Sequence, residues 1–497
     1  MLILKRFNSI KEKCRCIYEN GENNTFSFNK KEKVLLDLFN EYSRADVLAE
    51  LKKNMYIKDA INFFKNISPV KIDVKKVQTI GVFYWRMYNG GVEKVLASCL
   101  KIWNEMGYRV VLYTDQEPSE LDYEYPEVVK RVVIPPINSF KSRLSVLEKS
   151  IVEEKIDVFI NNAWMPETVL WELILIKSYE IPYILYTHGD FTFMYNVLNE
   201  YAIKHAEVFK MCDLVLTLTK TTECFYNMLG CNTKLVYNPV AEELLNEEFR
   251  ADLSSKKILW IGRIAEVKRP QDAIYIYKKV KEQITDAELE IVGTGERELI
   301  DDVKQMCDKL GVKDSVHFRG YQTDVKKYYK KCSMMLMTSE MEGYPTVLLE
   351  SKAYGVPCVM YELPCTSLLE KGILSASIGD QDKIAEYIID LLKDEEYRYK
   401  LGRDARESFE YLKNFNFVDM WEEIFKEVVN CDKSYKKNQN STLGIKSQES
   451  IDSILLPMFV KQLERADEQA RLHVLEYKIG NIVLEIPRRI KKILKRL

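Results

Sequence analysis

The stretch "SMMLMTSEMEGYPTVLLESKAYGVPCVMYE", residues 333–362, holds two short apolar runs on either side of a Gly-Pro loop and a third apolar segment. Met334–Met337 and Cys358–Met360 are apolar at every position, as strands covered on both faces are. Pro345 can open a helix between them, because its missing N–H would have no partner at the first position. Strand, helix, strand is the crossover unit of a parallel sheet. Two carboxylates bracket the loop and the helix start. Glu342 precedes Gly343-Tyr344-Pro345-Thr346, and Glu350 lies about one and a half turns inside, roughly 8 Å along the axis. The free N–H groups of that first turn point outward between them, as an anion site requires. Taken alone, the same residues also describe a surface loop whose acids favour a helix start.

The alternation extends in both directions. Upstream in the same half stand "KILWIGR", "QDAIYIYKKVKEQI", "AELEIVG", "RELIDDVKQMCDKLG" and "SVHFRG". An earlier set begins at "QTIGVFYW" and continues through "NGGVEKVLASCLKIWNEMG", "YRVVLYT", "KIDVFINN", "PYILYT" and "CDLVLTLT", closing at "KLVYNPV". The expected fold is α/β, with two doubly wound Rossmann-like domains over residues 76–245 and 250–405 facing across a cleft. A Lys- and Asn-rich helical prefix occupies 1–75. An aromatic helix at 406–430 is expected to cross back to the first domain, followed by a polar linker at 431–450 and a helical tail at 451–497.

Composition narrows the function. The 497-residue chain carries 73 Lys+Arg against 75 Asp+Glu, so no global basic field points to nucleic acid. Eleven cysteines without a repeated spacing and four scattered histidines support neither a disulfide scaffold nor a catalytic metal. No window has the apolar length of a membrane span, and the N-terminus lacks the charge order of a signal peptide. A cytoplasmic protein, peripheral at most on the inner face of a membrane, is the expectation.

Ligands of doubly wound sheets sit beyond the carboxyl ends of the strands, so the loops leaving strands matter most. "RIAEVKRP" places Arg263 and Lys268 there, a planar fork and a mobile point charge for phosphate oxygens. "IVGTG" supplies Gly293, "YTHGD" supplies His188, and "WRMYNGGVEKV" supplies Gly90 and Gly91, where backbone can approach a ligand. Each feature also has a plain explanation as a solvated loop, a tight turn or a hydrogen-bonding histidine. Together they assemble one anion site with carboxylates beside it. No strand is followed by G-x-G-x-x-G, which argues against a Rossmann dehydrogenase.

The ordered set "GGVEKV", "THG", "GRIAEVKRP", "IVGTG", "VHFRGYQTDV" and "EGYPTVLLESKAYGVPCV" resembles the retaining glycosyltransferases of family four, which have the GT-B fold. The resemblance implies transfer of a hexose-like sugar from a UDP- or GDP-sugar to a hydroxyl of a glycan or lipid-linked acceptor, as in bacterial surface-polysaccharide or glycolipid synthesis. No cofactor or metal beyond the donor is expected, because Arg263 and Lys268 supply the cations and no Asp-x-Asp motif stands in the strand-end loops named above. The resemblance makes Arg263 and Lys268 the diphosphate cations, Glu342 the contact to the donor sugar, and Glu350 the ribose acceptor. Gly343, Tyr344, Pro345 and Thr346 would present amides to sugar and phosphate. Gly90 and Gly91 would lie near diphosphate and acceptor, His188 by the transferred sugar, and Gly293 and Arg319 near the nucleotide. The loop departs from the commoner Gly-Phe-Gly form, which leaves the donor open. A GT-B nucleotide-sugar epimerase and a non-catalytic subunit of a glycan-assembly complex are the alternatives. The first lacks identifiable extra acid/base residues, and against the second stand intact Arg263, Lys268, Glu342 and Glu350.

The last seventeen residues, "NIVLEIPRRIKKILKRL", set Val483, Ile486, Ile490, Ile493, Leu494 and Leu497 on one helical stripe with six Arg and Lys around it. Docking on an anionic membrane surface is expected, the rival being a stripe that packs on the protein's own first domain or a partner helix. Each basic residue near such a surface is worth about 1 kcal/mol. Full-length protein should therefore sediment with anionic liposomes at low salt and a 1–480 truncation should not; equal sedimentation of the two would remove the membrane role.

Overall fold

The computed structural model describes residues 10–15, 17–18, 28–64, 76–88, 90–163, 166–191, 208–240, 244, 251–363 and 371–429. The basic tail and the linker before it lie outside these residues.

Short segments, apolar at the centre of each sheet and more polar toward its edges, pair into two parallel sheets. The first contains β1 (Thr79–Phe83), β2 (Arg109–Thr114), β3 (Lys130–Val133), β4 (Val158–Asn161), β5 (Tyr183–Tyr186), β6 (Leu214–Thr217) and β7 (Thr233–Leu235), in the order 3-2-1-4-5-6-7. The second contains β8 (Lys257–Ile261), β9 (Glu288–Val292), β10 (Val316–Gly320), β11 (Met334–Met337), β12 (Cys358–Tyr361) and β13 (Ile373–Ala376), in the order 10-9-8-11-12-13. Every pairing is parallel. Central strands such as β1, β4, β5 and β11 are buried at every position, which explains their unbroken apolar runs.

Both strand orders reverse at one place, between β1 and β4 and between β8 and β11. Loops leaving strands on either side of such a reversal diverge to opposite faces and open a crevice between them. The loops after β1, β8 and β11 are the ones that carry Gly90-Gly91, Arg263-Lys268 and Glu342-Thr346. Topology thus delivers these residues to the crevices before any side chain is considered.

The helical stretch expected over 406–430 is two elements. One helix runs from Glu395 to Lys413 and a second from Phe417 to Val429. Asp394 accepts from the Tyr397 amide and starts the first helix well before residue 406, so that boundary falls inside a helix. The first helix packs on the second domain, where a Cβ built on Gly402 would stand only 2.6 Å from the Gly355 carbonyl oxygen, so the close approach excludes a side chain. The second packs on the first domain. Trp421 meets Trp103 edge-on at 4.8 Å and Phe425 meets Tyr108 at 5.1 Å, while Lys234 pairs with Glu427 at 3.0 Å.

The prefix is fastened to the first domain mainly around Glu148, beside a Lys141–Asp46 ion pair at 2.7 Å. Glu148 accepts from Ser43 Oγ at 2.7 Å, from the amides of Arg44 and Ala45 at 2.8 and 3.2 Å, and from Tyr179 OH at 2.6 Å. It thereby satisfies the N-terminus of the helix Arg44–Asn54. Arg44 lies 3.7 Å from the centre of the Tyr179 ring.

Trp421 is fully buried and is the main anchor of the last helix. Trp421→Ala should lower unfolding free energy by roughly 3–5 kcal/mol. Trp421→Phe should cost clearly less, because it keeps the ring contact and removes an indole N–H that has no partner among the described residues. Urea titration of the three proteins checks the order.

Candidate functional site

Two helix N-termini meet at the crevice. The helix Gly91–Glu105 follows β1 with Gly90 as its N-cap, and the helix Thr346–Ala353 follows β11 with Pro345 as its N-cap. Pro345 therefore stands one position before the first helical residue. Neither glycine nor proline offers a side-chain acceptor, and neither helix has a side-chain cap. No side chain takes the first-turn amides, although the Leu348 N–H bonds the Pro345 carbonyl at 3.1 Å; helix-start amides without a side-chain cap suit an anion. A Cβ built on Gly91 would lie 3.4 Å from Thr346 Oγ1, so the two helix starts face each other across the domains.

The basic pair differs in state. Arg263 is exposed and makes no hydrogen bond or ion pair among the described residues. Lys268 is ion-paired to Glu342, which joins the cation of one loop to the carboxylate of the other. Its backbone is pinned as well: Thr338 Oγ1 donates to the Lys268 carbonyl at 2.8 Å and accepts from Trp260 Nε1 at 3.0 Å. The next residue, Arg269, has a left-handed backbone with φ 47° and binds Asp272 at 2.8 Å and Glu340 at 3.4 Å. This turn starts the following helix at Pro270.

Glu350 is buried, and both of its oxygens are used. Oε1 accepts from Lys94 Nζ at 2.6 Å, and Oε2 accepts from Tyr329 OH at 3.1 Å. Lys94 belongs to the first domain, so this is an ion pair between the domains. Burial of a carboxylate is tolerable only with such partners.

The glycines have definite structural causes. A Cβ on Gly293, whose φ is +139°, would stand 1.9 Å from the Gly262 carbonyl oxygen. The loops after β8, β9 and β10 are zipped together by Gly262 N–H to Val292 O, Ile264 N–H to Thr294 O and Gly293 N–H to Gly320 O, at 3.0, 2.9 and 2.8 Å. Arg319 stands apart from the cluster. It grips Glu290 with two donors at 2.5 and 3.0 Å and lines a cavity of about 240 Å³ with Lys257, Lys327 and Lys331.

His188, at the end of β5, has a fixed tautomer. Asn162 Nδ2 donates to Phe83 O at 3.2 Å, which turns its Oδ1 toward His188 Nε2 at 2.8 Å. An amide oxygen only accepts, so Nε2 carries the proton and Nδ1 is a bare acceptor. Nδ1 is buried with no partner among the described residues, and burial lowers the imidazole pKa to about 3. The ring is neutral at physiological pH.

Sequence reasoning assigned Arg263, Lys268, Glu342, Glu350, Gly90, Gly91, His188 and the loop Gly343–Thr346, and the structure gathers these around one crevice. It leaves Gly293 in the loop zipper and Arg319 on Glu290. Lys94, Tyr329, Thr338 and Asn162 were missed.

Two family models match consecutive parts of the chain: Glycosyltransferase Family 4 over residues 89–244 and Glycosyl transferases group 1 over residues 242–408. The N-acetyl-alpha-D-glucosaminyl L-malate synthase of Bacillus anthracis is 30% identical over 239 residues, which are 47% of this chain and 61% of that protein. The chain spans about three fifths of the length of the first curated relatives it matches. An N-acetylgalactosamine-N,N'-diacetylbacillosaminyl-diphospho-undecaprenol 4-alpha-N-acetylgalactosaminyltransferase of Campylobacter jejuni is 22% identical, over 66% of this chain and 94% of its own. Among solved structures, sucrose-phosphate synthase of Thermosynechococcus elongatus superposes with TM-score 0.58 at 16% identity, over 70% of this chain and 99% of its own. HepE of Anabaena with bound UDP-glucose superposes with TM-score 0.57 at 15% identity, over 71% and 99%. The fold is GT-B, and the chain belongs to the family-four-like GT-B glycosyltransferases whose two halves these models describe.

The His188 geometry has a measurable consequence. The unfolded chain protonates this imidazole below about pH 6.5, whereas the folded protein does so only near pH 3. Its contribution to stability is complete above pH 6.5 and declines as pH falls through that window, by up to about 1.4 kcal/mol per pH unit. His188→Gln should therefore flatten the fall of melting temperature between pH 6.5 and 4.5. An unchanged slope would show that the imidazole is not held neutral.

Proposed function

We propose that the protein transfers a hexose-like sugar from a UDP- or GDP-sugar to a hydroxyl of a glycan or lipid-linked acceptor, with retention, in cell-surface polysaccharide or glycolipid synthesis. The observation that carries the reading is the crevice itself. Two helix N-termini without side-chain caps face each other there, Lys268 is paired with Glu342 and Lys94 with Glu350, and Arg263 stands exposed on the same strand-end loop as Lys268. A sugar nucleotide has hydroxyls at both ends and a dianion in the middle, which is the complement of that arrangement. The UDP-glucose bound to HepE and the lipid-diphosphate acceptor in the name of the Campylobacter relative support the ligand classes.

In this reading Glu350 receives the ribose hydroxyls and Glu342 the donor sugar. Arg263, Lys268 and the amides after Gly90 and Pro345 receive the diphosphate. As the glycosidic bond breaks, positive charge develops at the anomeric carbon and negative charge on the leaving phosphate. Fixed cations and helix dipoles stabilise the second without reorganising. Retention follows if the acceptor hydroxyl enters on the face the diphosphate leaves and passes its proton to a departing phosphate oxygen. Both carboxylates are engaged with lysines, which disfavours either as a covalent nucleophile. The bare Nδ1 of His188 suits a hydroxyl donor of the transferred sugar. No metal is needed where two cations already neutralise the diphosphate. A peripheral position at the cytoplasmic face of a membrane accords with a lipid-linked acceptor.

Arg263→Ala and Lys268→Ala should each lower turnover roughly 10²–10³-fold, the first with the melting temperature near wild type and the second with a fall in melting temperature, because it leaves Glu342 without its partner. Excess chelator should leave wild-type turnover intact. Folded variants with full turnover would remove the diphosphate assignment, and metal-restored activity would remove the metal-free mechanism.

A further inference from the structure

Lys94 is the basic residue that reaches Glu350 from the opposite domain. It lies one turn into the helix Gly91–Glu105, three residues after Gly91. Helical side chains tilt toward the N-terminus of their helix, so the Lys94 stem runs back toward the Gly90-Gly91 amides. Those amides face Thr346, whose helix start lies 3.4 Å from a Cβ position on Gly91. The ammonium group thus stands between two places that matter to a nucleotide: the buried carboxylate of Glu350 and the space in front of the paired helix starts.

Each end has its own demand. Glu350 Oε2 lies 3.1 Å from the hydroxyl of the buried Tyr329, whose single proton it shares with the Val347 carbonyl at 3.2 Å, so this oxygen faces the protein interior. Oε1 is held by Lys94 at 2.6 Å, and the lysine side chain remains about one third exposed. A hydroxyl arriving at Glu350 has Oε1 as its open approach. A diphosphate arriving at the helix starts offers an ammonium a denser charge than one carboxylate does. Both changes move Lys94 in the same direction.

Resting on the nucleotide-sugar reading above, we propose that Lys94 is a donor-sensing contact: it neutralises Glu350 in the free protein and moves onto the diphosphate when the nucleotide binds. The ribose hydroxyls then take Glu350 Oε1, and the first domain acquires a charged contact to a ligand held mainly by the second. The nucleoside part displaces Lys94 and the diphosphate recaptures it.

This separates nucleotide from nucleoside. Binding of UDP, uridine, GDP and guanosine to the full-length protein is measured by calorimetry for wild type, Lys94→Gln and Lys94→Arg. For the nucleotide that wild type binds, Lys94→Gln should weaken the diphosphate roughly 10- to 100-fold, the loss of one charge-assisted contact. The corresponding nucleoside should bind within about threefold of wild type or tighter, since no lysine remains to be displaced. Lys94→Arg should restore most of the diphosphate affinity, and melting temperatures verify folding. Parallel weakening of nucleotide and nucleoside would reduce Lys94 to a prop for Glu350 and overturn the inference while leaving the donor class standing. Unchanged affinity for both would overturn it too. Wild-type protein that binds none of the four ligands would remove the nucleotide-sugar reading and this inference with it.

Discussion

A Cβ on Gly343 would stand 2.0 Å from the carbonyl oxygen of His188, and the rest of the site depends on that bare contact. The loop after β11 in the second domain rests directly on the strand end of β5 in the first. With a side chain there, one of the two loops would have to move, and the helix start at Thr346 would draw away from Gly91. The spacing of the two helix starts is therefore set by a missing methyl group. Gly293 and Gly295 repeat the device within the second domain, where Cβ atoms would come within 1.9 and 1.8 Å of backbone oxygens. Glycine here serves close approach of backbone to backbone.

Charge is arranged on the same plan. Among the residues that the crevice gathers, Lys268 and Glu342 hold each other, as do Lys94 and Glu350, while Arg263 is exposed. Pairing keeps the buried members solvated by one another in the free protein, since an isolated buried charge would be costly. It also means that a ligand with acceptors in the middle and hydroxyl donors at its ends can exchange partners without leaving any group bare. A simple phosphate would satisfy the cations and strand the carboxylates.

Much of this was legible in the sequence, for a physical reason. Parallel strands buried on both faces are continuous apolar runs, and the residues after them are the ones a doubly wound sheet places at its ligand edge. Arg263, Lys268, Glu342 and the Gly90-Gly91 pair stand on the loops that rule points to, with Glu350 inside the helix that follows, while their roles came from the family resemblance. The edge strands β3 and β13 escaped it because they are partly exposed: "KRVV" shows no buried position and "ILSA" only one. The break between the helices ending at Lys413 and starting at Phe417 was hidden by aromatic residues that pack on the first domain instead of continuing the helix. Arg319 looked available because its partner, Glu290, sits on a neighbouring strand at no recognisable sequence distance.

Lys94 and Asn162 were invisible for a deeper reason: each acts on a residue far away in the chain, Lys94 on Glu350 and Asn162 on His188. Periodicity places a residue on an element, and strand ends place an element at the site. Neither says which of a histidine's two nitrogens is bare, or which of a carboxylate's two oxygens is already taken. Those are properties of a pair, created only when two domains or two strand ends meet. In a two-domain crevice the first set of groups, the cations and the helix starts, comes from topology and can be read one loop at a time. The second set, which fixes tautomer and occupancy, comes from contact across the crevice. The chemistry therefore depends on residues whose own neighbours in sequence give no sign of it.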